Sequence, residues 1–416
     1  MTKHAGIFTH YDDVWLLDGV RTPFVDYNGA LGQVSPTDLG IKVAREAFSA
    51  SGVDPADVGH VFAGNMAQAS FDVFCLPRHV GLYSGVPVEV PATMTQRVCG
   101  TGIELIMQAG DRIKLGQISL GLCVGTESMS RNPVAAYTHR SGFRMGQVEF
   151  KDFLWEALLD PAPNATMGDT AENLAKRYEI SREMTDRFAH ESFERALHAK
   201  ESGFLAGEIT PVSNETFELA GYRSRGIRLG SKTTRLDTDT HIRQSPLEKL
   251  AEIRPAFGGV QTGGNSSAIV DGAAAALVAS GEHARARDKQ PLARVIAGTV
   301  VGVPPEIMGI GPAPAIRLLA ERTGVAVDAI DRFEINEAFG AQCLAVIREL
   351  DIPRARVNVN GGAIAIGHPL GATGVRLTLT LARELRHSGK RYGIASACIG
   401  GGQGIALLLE NPAAVS

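Results

Sequence analysis

Three short stretches of this 416-residue chain carry side chains that can act as nucleophiles or bases. Cys99 stands directly before Gly-Thr-Gly and an amphipathic helical pattern, in QRVCGTGIELIMQAGDRIKLG. His368 stands in a glycine-rich turn before a second helical pattern, in NVNGGAIAIGHPLGATGVRL. Cys398 closes an apolar run and precedes a glycine-rich turn, in SACIGGGQG. A site that combines thiols with an imidazole would therefore draw on widely separated parts of the chain.

The position of Cys99 favours nucleophilic chemistry. A cysteine at a helix N-terminus faces unpaired N–H groups and the positive end of the helix dipole, and both favour the thiolate. The alternative is that Cys99 is a small buried residue, as free cysteines commonly are. His368 also has two interpretations, a catalyst or a structural core histidine, and its glycine-lined turn favours the first.

A polar pair, Asn336 and Glu337, follows an apolar strand pattern in EINEAFG. Polar side chains at the carboxyl ends of strands in α/β proteins commonly contact ligand. The alternative for Asn336 is that it caps the helix that follows.

The elements that must position these residues alternate between strand and helix patterns, which indicates α/β layering. Residues 14–24 predict a first strand, and 37–52 predict a helix that ends at a glycine. The alanine-rich stretch 272–279 predicts another helix.

Two similar segments suggest an internal repeat. VDPADVGHVFAGN begins at Val53 and VDAIDRFEINEAF at Val327, while the surroundings of Cys123 resemble those of Cys398 at nearly the same separation. We therefore predict two similar halves, 1–128 plus 261–289 and 290–416. The more polar region 129–260 is predicted to be an insertion that lies over one half.

Composition restricts the function. A net charge of −4 gives no reason to expect a nucleic-acid or membrane-surface partner, and no uncharged run is long enough to span a bilayer. Five cysteines without a C-x-x-C pair or metal-like spacing argue against a disulfide framework and a zinc site. Together with the lack of a stretch resembling a signal peptide, they predict a reduced, cytoplasmic protein.

Five motifs in order carry a family resemblance: VCGTG around Cys99, MGDTAEN at 167–173, NEAF at 336–339, GGAIAIGHPLGATG at 361–374 and CIGGGQG at 398–404. This set resembles that of the thiolases, the acetyl-CoA acyltransferases. The resemblance implies two βαβαβαββ halves in a five-layered αβαβα sandwich with an inserted loop domain.

The resemblance also implies catalytic roles. Cys99 would take the acyl group as a thioester, and His368 would activate it. Cys398 would be the acid/base at the α-carbon of the acetyl group or at the CoA thiol. Asn336 would hold a water that completes an oxyanion site with His368, and the N–H groups of Cys99 and Gly400 would form a second one. Such carbanion chemistry needs a base near carbon and donors near the enolate, and a thiol requires only modest tuning for this role.

Coenzyme A is implied as substrate and product, with no permanently bound cofactor and no metal. Arg243 would meet its adenine–phosphate end, and Ser267 would contact the pantetheine arm. Met167, Met308 and Phe339 would line the acyl pocket. For Arg243 the alternative is a solvated loop charge, and for Met308 it is simple core.

The remaining cysteines, Cys75, Cys123 and Cys343, match no catalytic position and are interpreted as buried apolar residues. The resemblance further implies a homodimer or homotetramer that binds acyl-CoA.

Two departures from the family pattern bear on the acyl-chain length of the substrate. Thr166 replaces a histidine typical of short-chain biosynthetic members, and bulkier residues occupy 64–85. Short-chain acetoacetyl-CoA chemistry is the predicted activity, with thiolysis of longer or specialised 3-ketoacyl-CoA as the alternative. Two further alternatives are an irreversible ketoacyl-synthase-like enzyme, against which CIGGGQG argues, and a non-catalytic acyl-CoA or lipid-binding protein of the same fold.

Overall fold

The computed structural model describes residues 6–68, 70–137, 139–230, 233–286 and 290–414. Within them the strands are β1 (Ile7–Arg21), β2 (Val25–Asp26), β3 (His60–Gly64), β4 (Ala92–Met94), β5 (Leu120–Glu127), β6 (Val134–Ala135), β7 (Lys151–Asp152), β8 (Leu159–Asp160), β9 (Ala165–Thr166), β10 (Val212–Ser213), β11 (Glu215–Phe217), β12 (Arg225–Ile227), β13 (Arg235–Leu236), β14 (Val270–Ser280), β15 (Ala293–Gly302), β16 (Arg332–Ile335), β17 (Tyr392–Ile399) and β18 (Gln403–Glu410).

The α-helices in the same ranges are α1 (Pro36–Ser51), α2 (Leu76–Tyr83), α3 (Thr101–Lys114), α4 (Phe153–Ala157), α5 (Met167–Arg177), α6 (Arg182–Glu201), α7 (Leu247–Glu252), α8 (Gly281–Arg285), α9 (Pro312–Thr323), α10 (Gly340–Leu350), α11 (Ala363–Ile366) and α12 (Leu370–His387). None of the helices in this part of the chain is both long and apolar enough to cross a membrane.

The main sheet contains the predicted repeat. Hydrogen bonds join its strands in the order β16-β17-β18-β15-β1-β14-β5-β3-β4, with β2 beside β14. The run β1-β14-β5-β3 matches β15-β18-β17-β16, since in each run the first two pairs are antiparallel and the last is parallel. The two runs join where β1 pairs with β15. Each half has one parallel strand pair, β3 with β5 and β16 with β17. When these two pairs are aligned at their first paired residues, Cys398 corresponds to Thr126. The predicted correspondence with Cys123 is therefore wrong by three residues.

Helices and strands form five layers, as predicted. Helices α1 and α2 pack on the outer face of β1, β14, β5 and β3. Helices α3 and α12 lie against each other and contact strands of both halves, while α9, with α10 beside it, covers β15, β17 and β18. The apolar core follows this order, because one buried cluster lies beneath α1 and α2 and a larger one surrounds α3 and α12.

The alanine-rich stretch 272–279 is the centre of strand β14, so the helix predicted there is wrong. β14 lies between β1 and β5 and is buried along nearly its whole length. Helix α1 packs on one of its faces, and α3 and α12 pack on the other. Hydrogen bonding to both neighbours overrides the helix propensity of alanine, and the small side chains let helices approach from both sides.

The inserted region contacts both halves, although the sequence predicts that it covers one. Its helix α6 packs on α10 and α11, and its strand β12 contacts α1. Two fully buried ion pairs also anchor it, because Arg21 of β1 bonds to Asp239 and to Glu208 at 2.6 Å each. The predicted boundaries at 128/129 and 260/261 stay predictions, and the boundary at 289/290 adjoins residues outside the described ranges.

Candidate active site

Cys99 lies in the turn between β4 and α3, where the backbone is strained. The preceding residue, Val98, has φ of 42°, a left-handed value that is unusual for a β-branched side chain. Cys99 is 5% exposed and packs in a small apolar cluster with Met66, Met129 and Leu370, among others. The turn therefore holds the sulfur in an apolar pocket beside the start of α3.

Burial governs the titration of this thiol. Burial raises the pKa of Cys99 to about 11, with a smaller contribution from the Glu127 carboxylate, while hydrogen bonds from the backbone N–H groups of Gly400 and of Cys99 itself oppose the rise. Desolvation dominates this group, so its resting form is a thiol rather than the thiolate that the helix N-terminus was expected to favour. Its activation requires a base.

His368 lines the same cavity as Cys99. It precedes α12, is 5% exposed, and its Nδ1 lies 2.6 Å from Thr373 Oγ1. The Thr373 hydroxyl has its own acceptor, the Pro369 carbonyl at 3.2 Å, so we assign the hydrogen to Nδ1 and the lone pair to Nε2. Burial, assisted by the charge of Arg376, lowers the pKa of His368 to about 3. The imidazole is therefore neutral at physiological pH.

Asn336 follows β16 and faces the same imidazole. Its Nδ2 lies 3.3 Å from His368 Nε2, and its fully buried Oδ1 has no hydrogen-bond partner within the described chain. A buried amide oxygen of this kind calls for a water or a substrate group. The capping alternative is wrong, because α10 begins later and its N-cap residue is Phe339.

Glu337, the neighbour of Asn336, does not face the site. Its carboxylate accepts hydrogen bonds from Ser192 at 2.6 Å and from Asn358 at 2.9 Å. It also accepts from the backbone N–H of Ile364 at 3.3 Å. Glu337 thus anchors the segment that leads to His368.

Cys398 lies at the end of β17 and is fully buried against Met308 and Ala338, with Met167 and Phe339 packed beside them. Burial raises the pKa of Cys398 well above the ordinary value, and ionisation of Cys99 would raise it further. The two sulfurs are therefore near enough to interact electrostatically. The modest tuning expected from sequence is wrong, since desolvation dominates this thiol as well.

The cavity in front of these groups has a volume of about 580 Å³, which is in the range of small-molecule sites. Its walls include Cys99 and His368, together with four of the five predicted substrate contacts: Ser267, Met167, Met308 and Phe339. Cys398 and Asn336 stand directly behind this wall. Phe257, which sequence reasoning missed, closes one side and meets the Phe339 ring edge-on at a centroid distance of 6.1 Å.

Arg243 is outside this wall. It is exposed and lies with its guanidinium 5.0 Å from the centre of the Phe193 ring. It contacts His241 at 2.9 Å, and His241 does line the cavity. His241 thus lies between Arg243 and the cavity, and the predicted contact of Arg243 with CoA stays a prediction.

A buried carboxylate that sequence reasoning missed lies near Cys99. Glu127 ends β5, and its carboxylate accepts hydrogen bonds from the N–H groups of Met66, Ala67 and Gly371 at 2.8–3.1 Å. Burial raises its pKa to about 7. The detectable signal was an acidic residue at the end of a wholly apolar strand, in LCVGTESM.

The two departures from the family pattern differ in position. Thr166 lines the cavity, and its Oγ1 donates to Asp169 at 2.7 Å in the capping box of α5. In 64–85, Met66 packs beside Cys99, whereas Phe71 and Phe74 are 85% and 77% exposed. Cys75 is also exposed, so its interpretation as a buried residue is wrong, while Cys123 and Cys343 are buried as predicted.

No group of three or more His, Cys, Asp or Glu side chains arranged to hold a metal ion occurs among the described residues.

Comparisons with known proteins agree on one family. Residues 14–282 match the thiolase N-terminal domain, and 289–411 match the thiolase C-terminal domain. Mitochondrial 3-ketoacyl-CoA thiolase from Bos taurus is 41% identical over 96% of this chain and 98% of its own length. Beta-ketothiolase BktB from Cupriavidus necator is 40% identical over 96% and 99%. The crystal structure of human mitochondrial 3-ketoacyl-CoA thiolase in complex with CoA has a TM-score of 0.90 at 40% identity and covers 96% of this chain and 98% of that one.

Proposed function

Because the chain belongs to the thiolase family of acyltransferases, we propose that it cleaves 3-ketoacyl-CoA with free CoA, and forms it in reverse, through an acyl thioester on Cys99. The observation that carries this proposal is the convergence of four side chains. Cys99 and His368 line one cavity, and Asn336 and Cys398 stand behind its wall. Two thiols and a neutral imidazole at one point match the needs of carbon–carbon bond cleavage next to a thioester.

In the first step, His368 Nε2 accepts the proton of the Cys99 thiol and the sulfur attacks the 3-keto carbon. The bond between C2 and C3 breaks, and its electron pair forms the enolate of acetyl-CoA. The thiol of Cys398 gives its proton to the enolate carbon, and acetyl-CoA leaves. The raised pKa of Cys398 keeps its proton available until a basic carbon requires it.

In the second step, the Cys398 thiolate takes the proton of an incoming CoA thiol, and the CoA sulfur attacks the acyl thioester. Acyl-CoA leaves, and His368 returns its proton to Cys99. The N–H groups of Cys99 and Gly400, which already face the sulfur, are suited to stabilise negative charge on the thioester oxygen. Asn336 is suited to the same task beside His368 through a bridging water.

CoA is substrate and product in this scheme. Ser267 lines the cavity and Arg243 adjoins its margin through His241, which supports a pantetheine arm in the cavity and an adenine–phosphate end outside it. The human relative crystallised with CoA supports the same ligand.

The test is the covalent intermediate. After incubation with acetyl-CoA, we expect peptide mass spectrometry to find one acetyl group on Cys99, and we expect purified protein to thiolyse acetoacetyl-CoA. Cys99→Ser should lose both signals, whereas Cys75→Ser, which changes an exposed cysteine, should keep them. Wild-type protein that binds acetyl-CoA without acetylation would instead be the non-catalytic alternative.

A further inference from the structure

Glu127, at the end of β5, is a fully buried carboxylate that no step of the proposed reaction uses. Each of its two oxygens accepts two N–H groups. Oε1 accepts from Asn65 Nδ2 at 2.9 Å and from the backbone N–H of Ala67 at 3.1 Å. Oε2 accepts from the backbone N–H groups of Met66 at 3.0 Å and Gly371 at 2.8 Å. A proton on the carboxyl would displace one of these donors, so the four contacts favour the ionised form.

The four donors come from two parts of the chain, and both parts form the pocket of Cys99. Residues 65–67 directly follow β3 in the first half, whereas Gly371 lies in the first turn of α12 in the second half. Met66 packs in the apolar cluster around Cys99, and so does Leu370, the neighbour of Gly371. The carboxylate therefore joins two walls of the Cys99 pocket across the boundary between the halves.

The same contacts connect this pocket to the imidazole. Gly371 comes three residues after His368, which accepts the thiol proton of Cys99 in the proposed mechanism. A Cβ at Gly371 would stand 2.9 Å from the carbonyl oxygen of Gly64 and 3.1 Å from that of Thr126, so the start of α12 lies directly against the ends of β3 and β5. A shift of Gly371 relative to these strands would therefore move His368 relative to Cys99.

The negative charge of Glu127 does not help Cys99 to ionise. It raises the pKa of the thiol, in addition to the larger effect of burial. Burial also raises the pKa of Glu127 itself to about 7, and the N–H donors oppose that rise. Electrostatic activation of the nucleophile is therefore excluded as the role of this carboxylate, and its four contacts remain as the explanation for its presence.

Resting on the proposed function, we propose that Glu127 is a positioning residue, whose ionised carboxylate fixes the start of α12 to residues 65–67 and thereby sets the distance between the Cys99 sulfur and His368 Nε2. Glu127 is not part of the cavity wall, so it acts through those two side chains rather than on the substrate. A misplacement of about 1 Å between reacting groups can lower a rate about 10²-fold, so a loosened anchor should be measurable in kinetics.

The test places two variants in two backgrounds. Glu127→Gln replaces one acceptor oxygen with an NH₂ group that faces two N–H donors, and Glu127→Asp keeps the charge but is too short to hold all four contacts. In the wild-type background, each should lower kcat for acetoacetyl-CoA thiolysis about tenfold or more, because the sulfur and the imidazole lose their alignment. KM for CoA should change less than about twofold, since Glu127 does not line the cavity.

The second background, His368→Ala, distinguishes positioning from a general structural role. Without the imidazole there is no alignment to lose, so neither variant should lower the residual kcat/KM more than about twofold. Glu127→Gln should instead raise it, because a negative charge that opposes the Cys99 thiolate is removed. Glu127→Asp keeps this charge and should give no rise.

Glu384→Gln is the matched control on the same helix. Glu384 is 6% exposed and accepts hydrogen bonds from Arg332 and Asn360 at 2.9 Å each. It lies about 20 Å along α12 from Gly371. Its replacement should lower the free energy of unfolding but leave kcat/KM of the folded fraction unchanged in both backgrounds.

The outcomes separate this proposal from the function on which it rests. Equal losses of kcat/KM in both backgrounds, or no loss in the wild-type background, would overturn the positioning role while acetylation of Cys99 stands. Failure of both Glu127 variants to fold would overturn it as well, because the carboxylate would then maintain the fold rather than the site. Wild-type protein that neither thiolyses acetoacetyl-CoA nor gains an acetyl group on Cys99 would remove the proposed function itself.

Discussion

At the scale of single residues, the cysteine thiols of the candidate site are protonated at rest and the imidazole is neutral. Burial raises the pKa of Cys99 to about 11 and lowers that of His368 to about 3, so the thiol and the neutral imidazole are the resting forms. Transfer of the proton to His368 is unfavourable in the empty site. In the proposed mechanism a bound thioester offsets this, because negative charge moves from sulfur to an oxygen that faces N–H donors. We therefore expect the site to react when substrate is present and to stay protonated otherwise.

The first prediction removes the base. His368→Ala should lower kcat/KM for acetoacetyl-CoA thiolysis about 10²- to 10⁴-fold, the usual contribution of a general base. Its residual rate should rise about tenfold per pH unit over the neutral to alkaline range. The reason is that the pKa of Cys99 lies above that range, so the thiolate fraction grows with each unit until pH approaches about 11.

Wild-type protein should show no such rise, since His368 is already in its basic form throughout that range. The exposed His198→Ala variant is the control and should behave as wild type. A residual His368→Ala rate that does not change with pH would contradict a buried, protonated Cys99.

At the scale of elements, two glycines bring the thiol and the imidazole together. Helix α3 follows Cys99 and α12 follows His368, and the helices cross where Gly102 meets Gly374. A Cβ at Gly102 would stand 2.4 Å from the backbone nitrogen of Val375, and one at Gly374 would stand 2.3 Å from that of Ile103. The absence of a side chain at these two glycines therefore allows backbone contact between the helices.

The second prediction tests this crossing. Gly102→Ala and Gly374→Ala should each lower the free energy of unfolding by about 1–3 kcal/mol or more, because an added methyl must push two backbones apart. Each should also lower the acetylation rate of Cys99 in the folded fraction, since the two helix N-termini would separate. Chemical denaturation and mass spectrometry measure the two effects.

Gly302→Ala is the matched control, because a Cβ there would meet nothing within 4 Å and the backbone is not left-handed. Its effect on stability should stay within about 0.5 kcal/mol. Equal, small effects at all three glycines would show that the crossing tolerates a methyl group.

At the scale of the whole molecule, the site needs both halves of the repeat and the inserted region. Cys99 precedes a helix of the first half, whereas His368, Asn336 and Cys398 belong to the second. Met167 begins a helix of the inserted region. The sheet, however, ends at the short strand β4, whose outer edge carries no strand in the described structure. An open edge with apolar residues nearby in sequence is suited to pairing with another chain.

The third prediction concerns assembly. We expect sedimentation velocity to show a homo-oligomer, and we expect the double variant Phe71→Asp, Phe74→Asp to shift it toward monomer, because both rings are largely exposed in the single chain. Tyr222→Asp, at another exposed aromatic, should leave the oligomer intact. A monomeric wild type would contradict the homo-oligomer implied by the family resemblance. The predicted cytoplasmic location also stays a prediction.

The sequence by itself determined the family, the layered α/β fold, and the identity of the chemical groups. Cys99, His368 and Cys398 can be recognised because glycines surround reactive side chains in short motifs. Such local patterns are visible in the sequence without knowledge of which residues pack around them. Helices α1, α3 and α6 could be predicted for the same reason, since their apolar periodicity is local and α1 and α6 also begin at serine N-caps.

The tertiary structure decided what depends on distant neighbours. It made 272–279 a central strand, because two flanking strands supply hydrogen bonds that outweigh the helix propensity of alanine. It set both thiol pKa values, since desolvation depends on the residues that surround a group in space rather than along the chain. It also placed Glu127 near Cys99, which does not follow from local sequence because the two segments meet only on folding.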